Sequence, residues 1–140
     1  DYSTPVLGLI FLKYADVRFS NAKEEMGDNS NSRVSIGPED YQAKGIMYLP
    51  ENSRFTYLVQ LPEGEDIGAK INDAMNLIED LHSDLKGVLP KTYNTMESDL
   101  LSDLLRTFNA IPSNLDVDFF GRIYGEVLMI IFLMQVLMRV

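Results

Sequence analysis

Residues 2–19, Tyr-Ser-Thr-Pro-Val-Leu-Gly-Leu-Ile-Phe-Leu-Lys-Tyr-Ala-Asp-Val-Arg-Phe, constrain the fold more than any other stretch. Thr4 can cap a helix, and Pro5 suits a first helical turn, where its missing N–H costs nothing. Val6, Leu7, Leu9, Ile10, Phe11, Leu12, Tyr14, Ala15, Val17 and Phe19 then leave no polar face. Polar groups come only at Lys13, Asp16 and Arg18. A surface helix carries one apolar stripe, whereas a helix apolar on most sides is central. We therefore expect a helix over residues 5–24 with later helices packed around it.

The rest of the chain reads as the material for that packing. At 140 residues and 46% apolar it can bury one core. Residues 27–37 are turn-formers and read as a loop. Pro38-Glu-Asp starts a helical turn leading into Tyr41. The run Ile46-Met-Tyr-Leu49 is too short to separate an extended segment from an edge strand. Pro50 opens a short helix through Ser53, Phe55, Tyr57, Leu58 and Leu61 that ends at Pro62.

Two amphipathic helices follow. Asp66 is placed to cap the first, in which Ile67, Ile71, Ala74, Met75, Ile78 and Leu81 recur at helical spacing. Lys70, Asn72, Asp73, Asn76, Glu79 and Asp80 fall on the side expected to be wet. Gly87 and Pro90 mark the next connection. Asn94 and Glu97 have the spacing of a capping box ahead of Met96, Leu100, Leu101, Leu104, Leu105, Phe108 and Ile111. Asp116 would cap a last helix through Val117, Phe119, Phe120, Ile123, Tyr124, Val127 and Leu128. The expected fold is all-α: a single domain of about five helices around a buried N-terminal helix, with at most one short extended segment.

Charge and composition narrow the function classes. A net charge of −9 argues against a stand-alone nucleic-acid binder, whose affinity would rest on a basic face. It leaves room for a domain beside DNA held by other subunits. The chain has no cysteine, so it holds neither disulfides nor thiolate metal sites, and we expect a cytoplasmic protein. It begins at Asp1 without an initiator Met or a signal-peptide pattern, and reads as a fragment. The apolar run between Glu126 and Arg139 is broken by Gln135 and too short to span a bilayer.

No catalytic, cofactor-binding or metal-ligating residue can be assigned. Gly residues are scattered and no Pro-Pro occurs. Ser and Thr have no placed base, and neither a phosphate loop nor zinc spacing is present. His82 is the single histidine and reads as structural. The carboxylates at 63–66, 79–80 and 116–118 read as helix caps and solvated faces. The remaining candidates are basic. Lys86, Lys91 and Arg54 lie in or beside connections, where they could meet phosphate or a neighbouring subunit's acids.

The chain also resembles a known family. Asp1-Tyr2 with Pro5-Val-Leu-Gly-Leu-Ile-Phe-Leu-Lys-Tyr-Ala-Asp16 is similar to the start of the helical N-terminal domain of type I restriction-modification methyltransferase modification (M) subunits. Tyr41-Gln-Ala-Lys-Gly45, Tyr48-Leu-Pro-Glu51 with Arg54-Phe55, Leu61-Pro-Glu-Gly64, Leu85-Lys-Gly-Val-Leu-Pro-Lys-Thr-Tyr-Asn94 and Phe120-Gly-Arg-Ile-Tyr124 follow in the order of that family. The resemblance covers residues 1–124. It implies a full subunit that methylates adenine at N6 with S-adenosylmethionine. The partners implied are a specificity (S) subunit, a second M subunit, restriction (R) subunits and DNA. It also implies that the catalytic motifs lie beyond this domain, that this chain alone binds no S-adenosylmethionine, and that the domain serves subunit assembly and DNA clamping. Lys86 and Lys91 fall inside the Leu-Lys-Gly-Val-Leu-Pro-Lys motif.

Residues 125–140 depart from the family pattern. Two readings of this apolar tail stand side by side: a terminal helix buried in the core or a homodimer seam, and a tail produced by a change of reading frame. A different class of function also stays open, a self-associating helical scaffold or regulatory module without DNA business.

Overall fold

The computed structural model describes residues 3–27 and 35–110. They form α1 (Ser3–Met26), α2 (Pro38–Ala43), α3 (Phe55–Val59), α4 (Ile67–Leu81) and α5 (Ser98–Asn109). Single 3-10 turns lie at Glu51–Ser53, Ser83–Leu85 and Tyr93–Thr95. Among the described residues there is no strand, so the all-α expectation holds, and 46–49 carries no regular secondary structure. The helix expected after Asp116 and the apolar tail lie outside the described residues, as does most of the 27–37 loop.

The core draws on α1, α3, α4 and α5 together, with α5 packed against each of the other three. Leu9, Leu12, Ala15, Phe19 and Ala22 of α1, Phe55 and Leu58 of α3, Ile71, Ala74, Met75 and Ile78 of α4, and Leu101 and Leu105 of α5 belong to one buried cluster. Each fully buried Leu, Ile or Met of this cluster is worth about 1.5–3 kcal/mol. Asp66 caps α4 as expected, its Oδ1 accepting from the Ala69 N–H at 3.1 Å. Phe19 and Tyr41 of the cluster pack with Tyr48 in tilted and edge-on contacts, with ring centroids 4.9–5.5 Å apart. That packing ties α2 and the 46–49 segment to α1.

Three local expectations are corrected. The helix expected from Pro50 to Leu61 is a 3-10 turn followed by α3. Ser53 folds back to donate to the Pro50 carbonyl at 2.8 Å, and Arg54 takes an extended conformation that separates the two turns. The Asn94–Glu97 capping box does not form: α5 starts at Ser98, and Glu97 makes no side-chain cap. Asn94 instead accepts from Asn72 Nδ2 at 3.0 Å, and Asn72 Oδ1 accepts the Tyr93 N–H at 3.2 Å. A carboxamide pair across two elements satisfies more groups here than one local cap would. Finally, Glu79 is not on a wet face but buried, for the reason given below.

Close backbone approach explains one glycine. At Gly68 a Cβ would collide with the Tyr93 carbonyl oxygen and the Asn94 Cα, both backbone atoms. Gly68→Ala is expected to lose about 2 kcal/mol: roughly 3 of strain, offset by about 1 of gained helix propensity. The exposed control Asn76→Ala on the same helix should be neutral or stabilising. Urea midpoints of the two variants test this, and equal midpoints would refute the close approach.

Candidate functional site

Two internal carboxylates organise the polar structure. Asp16 sits mid-helix on α1 with its side chain 4% exposed. Its Oδ1 accepts from Arg54 Nε at 2.9 Å and its Oδ2 from the Thr56 N–H at 2.9 Å. Arg54 occupies the N-cap position of α3 and makes no side-chain cap of its own. Asp16 therefore caps α3 from another helix, supplying the acceptor that a short helix start needs. Arg54 Nη2 donates to Ser20 Oγ at 2.5 Å, and the guanidinium lies 5.2 Å from the Phe19 ring centroid.

Glu79 does the same for the α4–α5 connection. Its Oε1 accepts the Gly87 N–H at 2.7 Å; its Oε2 accepts the Leu89 N–H at 2.9 Å and Lys91 Nζ at 2.7 Å. Burial pushes the Glu79 carboxyl up, but Lys91 and the two backbone N–H groups together pull it further down, so it lies below the usual glutamate range. Gly87 takes φ +76, which turns the chain tightly around the carboxylate. Val88 and Leu89 point inward, and Lys86 is left exposed on the outside of the turn.

The three basic candidates thus separate. Arg54 is pinned to Asp16 and Ser20, and Lys91 to Glu79, whereas Lys86 stands in solvent. The structure does not bring them together into one pairing. His82 is half-buried, and its Nε2 lies 3.0 Å from the Tyr48 carbonyl oxygen. A carbonyl only accepts, so Nε2 carries the proton and the ring ties the end of α4 to the 46–49 segment. Tyr93 donates to the Pro5 carbonyl at 2.6 Å, and its burial pushes the phenol well above its ordinary range. Among the described residues no group of three or more His, Asp or Glu could hold a metal ion. Nor is any helix among them long and apolar enough to cross a membrane.

Sequence reasoning missed Asp16 and Glu79. For Asp16 the signal was present: a carboxylate flanked by apolar residues on a helix without a polar face has to be buried and paired. For Glu79 it was weaker. Only its place one position past Ile78, on the flank of the apolar stripe, set it apart from Asp80.

Helices tied by cross-element carboxylates, with Lys86 exposed on the Gly87 turn, make up an all-α domain. The chain belongs to the HsdM N-terminal domain family, whose model it matches over residues 1–108. It is also 33% identical, over 107 aligned residues, to the "Type I restriction enzyme MjaIX methylase subunit" of Methanocaldococcus jannaschii. That alignment covers 66% of this chain and 19% of the relative. No solved structure matches the chain. The resemblance read from the sequence, to the N-terminal domain of type I modification subunits, therefore holds.

Proposed function

We propose that this domain is an assembly element of a type I modification enzyme, holding subunits together and helping to close them around DNA. The observation that carries this reading is the family match combined with the Glu79-held turn, which presents Lys86 on a fixed backbone. Holding a loop rigid lowers the ordering cost of binding it, which favours a docking role over a solvated connection. In this proposal the full subunit transfers a methyl group from S-adenosylmethionine to adenine N6 through sequence that lies beyond this domain. The partners are an S subunit, a second M subunit and R subunits, and the setting is cytoplasmic. Arg54 and Lys91 act by holding the shape of the docking face, and Lys86 meets the acidic or phosphate group.

The test is size-exclusion chromatography with light scattering on this chain mixed with the S subunit of the same locus, with and without duplex DNA. Co-elution is expected. Lys86→Glu should weaken the complex by roughly fivefold to thirtyfold, about 1–2 kcal/mol, without shifting the urea midpoint of the free chain. If the chain ignores the S subunit and instead gains mass with its own concentration, the scaffold reading replaces this one.

A further inference from the structure

The turn that follows α3 and the first half of α5 enclose a groove of about 570 Å³. Pro62 cannot continue the helical turn before it, and Gly64 at φ +91 lets the chain reverse, with the Glu65 N–H donating to the Pro62 carbonyl at 3.3 Å. Leu58 of α3 and Leu105 of α5 form the base, 1% and 3% exposed. Val59, Leu61 and Ile67 also line the groove and are only half-buried, so part of each apolar side chain stays open to water. The volume falls within the range of binding clefts, roughly 300–1,000 Å³.

The rim fixes the sign of what can enter. Glu63 and Glu65 on the turn and Asp99 on α5 line the groove, and all three are exposed. Among the described residues none of them is held in an ion pair. Arg106 lines it too, but its guanidinium is already held by Asp103 at 2.8 Å. The start of α5 at Ser98 would by itself favour an anion, and Asp99 in that first turn offsets it. Three carboxylates around an apolar floor repel a phosphate backbone and lose hydration against an uncharged partner, whereas cations pair with them. A second copy of this chain is disfavoured by its net charge of −9. We propose that the groove docks a short basic segment of another protein. One apolar side chain of that segment rests on Val59, Leu61 and Ile67, and lysines or arginines on either side of it meet Glu63, Glu65 and Asp99. Lys86 does not line the groove, so this surface is separate from the Lys86 turn, and loss of either leaves the other intact.

The test is fluorescence anisotropy of a labelled synthetic peptide, Lys-Lys-Leu-Lys-Lys, titrated with the full chain. Saturable binding is expected below about 1 mM. Replacing the peptide's leucine by glycine should weaken binding roughly tenfold to a hundredfold, and replacing its lysines by glutamate should abolish it. In the chain, Glu63→Lys with Glu65→Lys should weaken binding on the order of tenfold. The control pair Glu24→Lys with Glu25→Lys makes the same change in net charge at exposed positions outside the groove, and should weaken it by less than about twofold. Equal losses from the two pairs would mean attraction to the whole acidic surface and would overturn the proposal. Equal binding of the leucine and glycine peptides would overturn it as well, since the floor would then have no part. No saturation by about 1 mM overturns it too, whether the chain's own residues, a second copy or nothing fills the groove. Urea midpoints show whether each charge variant keeps the parent's fold. Where one does not, the peptide series on the unaltered chain decides.

Discussion

Glu79→Ala is expected to destabilise the domain by about 3–5 kcal/mol, the largest effect of any single polar substitution here. The carboxylate serves the Gly87 N–H, the Leu89 N–H and Lys91 Nζ at once, with its side chain 7% exposed. Removing it strands donors that water reaches poorly, and each orphaned donor costs about 1–3 kcal/mol. Partial opening of the 85–91 turn would recover some of this, so the total stays below the simple sum. Against a usual total stability of about 5–15 kcal/mol, a loss of this size lowers the melting temperature by roughly 10–20 °C. Glu79→Gln should cost less, because one oxygen still accepts while the new amide faces existing donors.

The same site sets an acid dependence. Glu79 titrates below the usual glutamate range in the folded chain. Its contribution is thus fully present above the unfolded value of about 4.3 and is lost as pH falls through the lower folded value. Stability of the parent chain should fall across that window, and the Glu79→Ala curve should be flatter there. Urea midpoints collected from neutral pH downward through the unfolded value of about 4.3 test the claim. Parallel curves for the two proteins would show that the carboxylate is not stabilised by its three donors.

The helices were legible from apolar spacing because burial of a stripe decides helix position. Asp66 was legible as a cap because its acceptor acts three residues away, within the same turn. Asp16 and Glu79 were not assigned because their partners are distant in sequence: Thr56 is 40 residues from Asp16, and Leu89 is 10 from Glu79. Periodicity sorts residues into faces, and a carboxylate on a flank goes to water by default. Only the position of the neighbouring backbone shows that unpaired N–H groups await it. Arg54, Lys86 and Lys91 looked equivalent as basic residues near turns. Whether each charge is already neutralised depends on which carboxylates the fold brings within reach.

Asp16→Ala is expected to cost about 3–4 kcal/mol, more than Arg54→Ala at about 1–2 kcal/mol, although the two form one ion pair. The asymmetry follows from what each leaves behind. Without Asp16 the guanidinium keeps Ser20 and the Phe19 ring face, and with 16% side-chain exposure it retains some water, but the Thr56 N–H at the start of α3 loses its acceptor. Without Arg54 the carboxylate still accepts from Thr56 and, at 3.3 Å, from Ser20 Oγ. The Asp16→Ala/Arg54→Ala cycle should therefore show a coupling of about 1–2 kcal/mol, and Asp16→Asn should fall between the parent and Asp16→Ala. Additive losses would mean that the pair contributes no net attraction and that capping of α3 is the whole role of Asp16. The cycle also sets the baseline for reading Arg54 in assembly experiments. A weaker complex from Arg54→Ala reports a subunit or DNA contact only where it exceeds the loss that Asp16→Ala, which leaves the guanidinium in place, produces at matched stability.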